Sequence, residues 1–250
     1  MNIKVYRNYD EMSRAAADLV ADYVRKQPAA LLCLPSGDTP TRMFEFLKQD
    51  VMEGKVNFRD CSFVGLDEWA GMDETDEGSC RHYMDQHLFE PLAIETDRVH
   101  FFNGTNSDLQ QECHRINEFI NEKGPIDLMM VGLGLNGHVG LNEPGVDFKL
   151  YSHISDLDEK TTRTAQKYFK EKTHLTRGIT LGPRHFLESK VAVLIASGAR
   201  KAEIVAQSLE GKVSNEVPAS IIQRHPGAYV FLDGDAAGLL KAVKARRNEG

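Results

Sequence analysis

Short apolar segments alternate with longer amphipathic segments along this chain, and this alternation restricts the possible folds most strongly. Strands that are apolar on both faces are typical of a parallel sheet covered by helices on each side. The candidate strands are 30–34, 62–66, 127–133, 191–197 and 229–232. The candidate helices are 10–26, 40–49, 79–89, 108–123, 200–209 and 235–246. The pattern predicts an α/β fold with a doubly wound, mostly parallel open sheet (Rossmann-like) and helices on both faces.

The whole chain is expected to form one domain over residues 1–250, because it contains no repeat, low-complexity tract or Pro/Ser-rich linker. Apolar residues make up 41% and charged residues 27% of it, which is typical of a globular protein and not of a disordered one. The four cysteines have no C-x-x-C spacing, so we expect reduced, buried thiols and no metal site.

Charge and hydropathy argue against two classes of partner. The 30 basic and 37 acidic residues give a formal net charge of −7. Without a basic block, a nucleic-acid partner is not expected. No apolar run approaches the roughly 18 residues of a membrane span. Since the first residues also lack the apolar core of a signal peptide, we expect a cytoplasmic protein. The sequence does not determine the oligomeric state, and a homo-oligomer is possible.

Ligands of doubly wound sheets bind beyond the carboxyl ends of the strands, so the segments after each candidate strand are the places to look. The first such segment, 35–40, is small and polar and leads directly into a helix. We expect Thr39 to cap this helix, with Pro40 at its first position. The segment is either a cradle for a phosphate group or only a tight turn with a capped helix. Asp38 counts against the cradle, because a carboxylate repels phosphate.

Two acids, Asp67 and Glu68, follow the second candidate strand. A carboxylate that is partly desolvated at a strand end can have a raised pKa and can act as a general base. The alternative is a helix cap or a surface pair.

The third candidate strand runs into a segment, 132–145, that contains five glycines. Within it, His138 can transfer protons near neutral pH, and Glu143 lies five residues further on. A histidine in a loop is often only a structural hydrogen-bonding group, but the glycines around this one favour a functional role. After the fourth strand, Lys201 lies in the first turn of a helix, where a cation opposes the helix dipole. This position indicates either an anionic ligand or a solvated lysine.

Together these segments resemble the glucosamine-6-phosphate deaminase/6-phosphogluconolactonase superfamily, over nearly the whole chain and in the same order. The run Asn-Gly-His-Val-Gly-Leu-Asn-Glu-Pro-Gly at 136–145 is similar to the amino-sugar deaminase branch. The Asp-Glu-Trp at 67–69 agrees with this branch, because the lactonases have Asp-Glu-Arg there. Asn136, the run 176–182 and Val-Pro-Ala-Ser at 217–220 resemble galactosamine-6-phosphate deaminase/isomerases most closely.

The resemblance implies that a 2-amino-2-deoxyhexose 6-phosphate is converted to a 2-ketohexose 6-phosphate and ammonia, without a cofactor. It implies that Asp67 moves a proton between C2 and C1, and that His138, supported by Glu143, opens the sugar ring. The His-Pro pair at 225–226 matches a segment near the active site. The residues implied at the substrate phosphate are Ser36, Gly37, Asp38, Thr39, Lys167 and Lys201.

Three positions depart from the deaminase pattern. Asn136 replaces an aspartate beside the histidine, so Glu143 alone supplies negative charge there. A phosphate-binding arginine of the family's mobile lid, expected at about 156–176, falls on Lys167, although Arg163 competes for this role. Asp38 replaces a small residue in the phosphate loop. The family's longer regulatory tail is also missing, so allosteric control is not expected.

Galactosamine 6-phosphate is the substrate that these features favour, and glucosamine 6-phosphate is the alternative. Two further alternatives are a lactone hydrolase on the same fold and a sugar-phosphate-binding regulator without catalysis. The presence of Asp67, His138 and Glu143 argues against the regulator.

Overall fold

The computed structural model describes residues 1–248, and it contains two sheets. The strands are β1 Asn2–Tyr6, β2 Leu31–Cys33, β3 Ser62–Val64, β4 Asp67–Trp69, β5 Val99–His100, β6 Leu128–Gly132, β7 His153–Asp156, β8 Arg177–Thr180, β9 Val191–Ala196 and β10 Ala228–Asp233. The helices are α1 Tyr9–Lys26, α2 Asp38–Met52, α3 Cys80–Met84, α4 Leu109–Lys123, α5 Glu159–Ala165, α6 Pro183–Glu188, α7 Ala202–Glu210 and α8 Lys241–Asn248. None of these helices combines the length and apolar character needed to cross a bilayer.

The main sheet has the order β1-β10-β9-β6-β2-β3-β5, and all of its neighbouring strands are parallel. Successive strand residues face opposite layers. In β2, Leu31 and Cys33 therefore pack in one core with α4 and α7, whereas Leu32 packs in the other core with α1 and α2. Two buried faces explain why the strands are apolar throughout, and they confirm the predicted fold class.

The order of the strands reverses between β2 and β6. From β2 the chain adds β3 and β5 on one side, and it then returns to place β6 on the other side. A crevice opens at such a switch point, where the loops that follow the two strands diverge. The loops concerned here are 34–37 after β2 and 133–145 after β6, which are two of the segments singled out by the sequence.

The five predicted strands are confirmed, and none of their ends differs from the predicted one by more than two residues. The predicted helix 235–246 is wrong in its first half, because 234–240 forms turns and α8 begins only at Lys241. The carboxylate of Asp233 accepts a hydrogen bond from the backbone N–H of Ala236 (2.8 Å), which stabilises a turn there. The predicted helix 79–89 is α3 followed by a π-helical turn at Asp85–Phe89, and Ser79 caps its start, since Ser79 Oγ accepts a hydrogen bond from His82 N at 3.1 Å.

Three features were not predicted. The edge strands β1 and β5 are partly exposed or very short, and β4, β8 and β7 form a second, antiparallel sheet. This small sheet lies beside the carboxyl edge of the main sheet, since Leu181 N donates to Leu66 O at 2.8 Å. It matters for the site because Asp67 is the first residue of β4.

Candidate active site

A cavity of about 650 Å³ opens at the switch point of the main sheet. Its walls come from the loops after β2, β6 and β9, from β4, and from the segment around α5. Of the residues predicted for the site, those that line it are Ser36, Gly37, Asp38, Thr39, Asp67, Asn136, His138, Lys167 and Lys201. Glu143 is not part of the wall, and it contacts the cavity residues from behind.

Asp67 faces this cavity from the start of β4, and its side chain is only 8% exposed. Burial raises the pKa of Asp67 to about 6, and a hydrogen bond from the Cys80 thiol offsets part of this rise. The group is therefore ionised at neutral pH and more basic than an exposed aspartate. A base with a pKa close to the working pH is well suited to remove a proton from carbon.

The neighbouring acid, Glu68, has no access to the cavity. Its fully buried carboxylate accepts hydrogen bonds from the backbone N–H groups of Trp69 (2.8 Å), Cys80 (3.0 Å) and Arg81 (2.9 Å). The hydroxyl of Ser79 donates a fourth bond at 3.0 Å. Burial raises the pKa of Glu68 to about 7, although these four bonds lower it. Glu68 thus fastens the start of α3 to β4, which places Cys80 beside Asp67.

A chain of hydrogen bonds orients His138. Asn136 Nδ2 donates to Glu143 Oε2 at 2.8 Å, so the amide oxygen Oδ1 points toward the histidine. This oxygen lies 2.7 Å from His138 Nδ1, and Thr161 Oγ1 lies 3.0 Å from the same nitrogen. Because a carbonyl oxygen only accepts, Nδ1 carries the proton. Nε2, which has no hydrogen-bond partner in the part of the chain that the structure describes, is left as an acceptor.

The protonation of His138 follows from its surroundings. Burial lowers the pKa of His138, the carboxylate of Glu143 at 3.6 Å raises it, and Lys201 lowers it further, with a net decrease. The ring is therefore neutral at pH 7 and can accept a proton on Nε2. Gly134 makes room for the ring, because a Cβ atom there would lie 2.3 Å from it.

The other end of the cavity is suited to an anion. Gly37 precedes α2 with φ 105°, a left-handed conformation that favours glycine, and no side chain caps this helix within the described residues. The prediction that Thr39 caps the helix is wrong, because α2 begins at Asp38 and the turn is made by Gly37. The start of a helix carries a partial positive charge, so the start of α2 is suited to bind an anion.

Lys201 extends into the same end of the cavity from the turn that precedes α7. Its ammonium donates a hydrogen bond to the backbone oxygen of Leu133. Burial lowers the pKa of Lys201 to about 8, and the nearby charges of Lys167 and Arg200 contribute to this decrease. A partly desolvated cation of this kind is stabilised when an anion binds beside it.

The segment 156–176, which we call the lid segment, covers one side of the cavity with Lys160, Thr161, Thr164, Ala165, Lys167 and Tyr168. Lys167 forms an ion pair with Asp38. Arg163 instead pairs with Glu159 at 2.8 Å, is 76% exposed and does not line the cavity. Of the two candidates for the lid cation, the geometry therefore favours Lys167.

Several contacts were not found by sequence reasoning. Thr161, Tyr168 and Cys80 reach the site from segments without a strand–glycine–helix pattern, so the sequence gives no signal for them. His225 is buried away from the cavity, where its Nε2 lies 2.8 Å from the Ser189 backbone oxygen, and it is a core residue. Among residues 1–248 there is no group of three or more His, Cys, Asp or Glu side chains that could hold a metal ion.

The family model described as glucosamine-6-phosphate isomerases/6-phosphogluconolactonase matches residues 7–231. The chain belongs to this family. A glucosamine-6-phosphate deaminase of Alkaliphilus oremlandii is 37% identical over 241 residues, which cover 96% of this chain and 100% of that protein. One of Thermoanaerobacter pseudethanolicus is 33% identical over 241 residues, covering 96% and 95%.

Solved structures of similar proteins have the same fold as this chain. A monomeric glucosamine-6-phosphate deaminase superimposes with a TM-score of 0.93 at 34% identity, over 96% of this chain and 100% of that one. A 6-phosphogluconolactonase from Trypanosoma brucei has a TM-score of 0.73 at 19% identity, over 95% and 97%. The lactonase shares the fold, whereas the deaminase is similar in sequence as well.

Proposed function

We propose that this protein is a deaminating aldose–ketose isomerase that converts a 2-amino-2-deoxyhexose 6-phosphate into a 2-ketohexose 6-phosphate and ammonia. The observation that carries the proposal is one cavity lined by a buried carboxylate, Asp67, by a neutral histidine with a free Nε2, and by a cationic end beside α2. The deaminases at 33–37% identity over nearly their full length support it.

In this proposal the substrate phosphate binds at the start of α2, beside Lys201 and Lys167. His138 Nε2 removes the proton from the C1 hydroxyl of the cyclic sugar and returns it to the ring oxygen as the C1–O5 bond breaks. The relay through Asn136 and Glu143 keeps Nε2 directed at the sugar while the ring is briefly protonated.

Asp67 then takes the proton from C2 of the open-chain sugar and delivers it to C1. The electron pair of the C2–H bond passes toward the aldehyde, whose oxygen takes up a proton from the C2 ammonium group, and protonation of C1 then leaves an iminium ion at C2. Water adds to C2 and gives one proton to the nitrogen and one to the solvent, the C–N bond breaks, and ammonia leaves. The aldehyde and imine of the sugar accept the electrons themselves, so we expect no cofactor.

The configuration of the sugar at C4 is a finer question. The relatives named above are glucosamine-6-phosphate deaminases, which favours glucosamine 6-phosphate and fructose 6-phosphate as substrate and product. Asn136 and the runs at 176–182 and 217–220 favour galactosamine 6-phosphate and tagatose 6-phosphate. The preference for galactosamine 6-phosphate stays a prediction.

A coupled assay for ammonia tests the proposal on both amino-sugar phosphates. We expect ammonia and a ketose phosphate in equal amounts, a preference for one epimer in kcat/KM, and much weaker turnover of the same sugars without phosphate. The Asp67→Asn protein serves as the blank for contaminating activity. Acid release from a 6-phosphogluconolactone without ammonia from either amino sugar would contradict the proposal in favour of the lactone hydrolase.

A further inference from the structure

Two of the positions that depart from the family pattern contact each other. The carboxylate of Asp38, in the first turn of α2, forms an ion pair with the ammonium of Lys167 in the lid segment. These residues are 129 positions apart in the chain, and both line the cavity. Seen separately in the sequence, Asp38 is an unfavourable charge in a phosphate loop and Lys167 is a weaker substitute for an arginine.

The geometry points to one role for the pair: Asp38 is a positioning residue that stands in for the substrate phosphate and holds Lys167, and with it the lid segment, over the cavity before substrate binds. Substrate binding is then an exchange in which the phosphate replaces the carboxylate as the partner of Lys167. This assignment rests on the proposed function, which supplies the phosphate.

The position of Asp38 suits an internal substitute for an anion. Its carboxylate lies where α2 begins, so the partial positive charge of the helix favours it as it would favour a bound phosphate. The hydroxyl of Tyr9 donates to the backbone oxygens of Asp38 and Thr39, each at 3.0 Å, which fixes this turn. The side chain of Asp38 is 67% exposed, so it can move aside without a change in the core.

The surroundings of Lys167 in the lid segment also favour this exchange of partners. The Lys167 ammonium lies 4.8 Å from the centre of the Tyr168 ring, and the Tyr168 hydroxyl is packed close to Gly37. Burial lowers the pKa of Lys167, but its hydrogen bond to Asp38 and the nearby Tyr168 raise it to a value above the ordinary one. Lys167 therefore carries its positive charge before the phosphate binds.

The charges along the cavity show why a substitute is useful. Its lining includes four cations, Lys160, Lys167, Arg200 and Lys201, and the acids in the same lining are Asp38 and Asp67. Without ligand, the cations repel one another, and Lys167 already lowers the pKa of Lys201. The carboxylate of Asp38 beside Lys167 relieves this repulsion until a phosphate dianion binds, so the lid segment can stay in place before substrate binds.

Hydrogen–deuterium exchange of the lid segment tests this role, with inorganic phosphate as the probe. The proteins compared are the wild type, Asp38→Asn, Lys167→Met and, as a control, Glu171→Gln, which removes an exposed acid from the same segment. Without phosphate, we expect amides 159–170 to exchange up to about fivefold faster in Asp38→Asn and in Lys167→Met, the size expected for one exposed ion pair. The control should match the wild type.

Phosphate separates the two variants. Phosphate should restore wild-type exchange in Asp38→Asn, because the ammonium of Lys167 can still pair with it. It should not restore wild-type exchange in Lys167→Met, because this ammonium is missing. Calorimetry should show that phosphate binds several-fold more tightly to Asp38→Asn than to the wild type, because no carboxylate has to be displaced. A merely structural Asp38 would not give phosphate-dependent rescue.

Either of two results would overturn the assignment: unchanged lid exchange in Asp38→Asn, or faster exchange that saturating phosphate does not reverse. The assay does not depend on the sugar. If no ammonia is released from amino sugars but phosphate still rescues Asp38→Asn, the proposed function fails and the role of Asp38 stands.

Discussion

At the scale of single residues, adjacent acids in β4 have opposite surroundings because side chains alternate along a strand. Asp67 faces the cavity, and Glu68 is surrounded by backbone N–H groups. Burial raises the pKa of both, to about 6 and about 7. Only Asp67 combines this basicity with access to a ligand, so it is the one of the two that can act on a substrate.

Asp67→Asn should lower kcat by about 10²–10⁴-fold, the usual contribution of a general base, while phosphate still binds as in the wild type. Since the base must be ionised, the wild-type rate should rise with pH through about 6. A pH–rate profile together with phosphate titrations of both proteins provides the measurement. A folded variant with near-normal turnover would remove Asp67 from the mechanism.

Asn136→Asp tests the relay behind His138. A carboxylate 2.7 Å from Nδ1 favours the imidazolium, so the acidic limb of the pH–rate profile should move to higher pH on the cyclic substrate. The new carboxylate also faces Glu143 across a contact of 2.8 Å, and we expect one of the two acids to retain a proton and to limit the shift.

An open-chain substrate analogue is the control for this variant, because it bypasses ring opening and should show no shift. Identical profiles of the two proteins on the cyclic substrate would exclude the electrostatic role. Loss of activity without a shift would indicate that Asn136 contacts the sugar directly.

Lys201 gives a prediction about pH on the alkaline side. Its pKa is lowered to about 8, so it loses its charge above that pH, and the affinity for inorganic phosphate should fall there in the wild type. Arginine stays protonated, so Lys201→Arg should bind phosphate without this loss between pH 8 and 9.5. Lys201→Ala should bind it weakly at every pH. Calorimetry across this pH range measures the affinity for phosphate in each protein. If the affinity depends on pH equally in the wild type and in Lys201→Arg, titration of Lys201 is not the cause of the loss.

At the scale of elements, buried strands and amphipathic helices could be predicted from the sequence because their residues repeat with the period of the structure. The strand β1 escaped prediction because it is an exposed edge strand, and β4, β7 and β8 because their residues, Asp-Glu-Trp, His-Ile-Ser-Asp and Arg-Gly-Ile-Thr, form no apolar run. The pairing of β4 with β8 joins segments more than a hundred positions apart, such as Asp67 with Thr180. No local pattern encodes a contact of that kind.

The candidate site also has parts that could be predicted from local sequence patterns and parts that could not. The loops after β2, β6 and β9 could be predicted, since a small or glycine-rich segment at the end of an apolar strand marks them. The partners brought by the lid segment could not. Thr161 and Tyr168 look like ordinary polar and aromatic residues until the fold places them against His138 and Gly37.

Gly78 shows how the lid segment depends on one element. The ring of Phe169 packs so closely on Gly78 that a Cβ atom there would lie 2.5 Å from it. Gly78→Ala should therefore displace Phe169, accelerate amide exchange of the lid segment and raise KM for the sugar phosphate several-fold.

Gly71→Ala is the matched control for Gly78→Ala. Gly71 has nearly the same backbone angle, φ 91° against 95°, but no atom of residues 1–248 lies within 4 Å of its Cβ position. Both variants should lose about 1 kcal/mol of stability through left-handed strain, but only Gly78→Ala should change KM. Equal KM values in the two variants would show that the packing of Phe169 does not control the lid segment.

At the scale of the whole molecule, the charge around the cavity has the opposite sign to the net charge of the chain. The chain carries a formal charge of −7, but among the described residues four cations line the cavity, and the acids that line it are Asp38 and Asp67. A local positive field attracts an anionic substrate even on an acidic protein. Of these two acids Asp67 is the buried one, so we expect it to serve function at the expense of stability.

This cost can be measured for Asp67. In the unfolded chain the carboxyl loses its proton near pH 3.8, whereas in the folded protein it keeps it until about pH 6. The folded state therefore binds more protons between these values, and its stability falls as the pH rises through this window. Asp67→Asn removes the effect, so the variant should be more stable than the wild type by up to about 3 kcal/mol above pH 7 and by about half as much near pH 5. Urea unfolding at the two pH values measures the difference, with the exposed Asp60→Asn as a control that should show none. A variant with the same free energy of unfolding as the wild type at pH 8 would mean that the buried carboxylate of Asp67 costs the fold nothing.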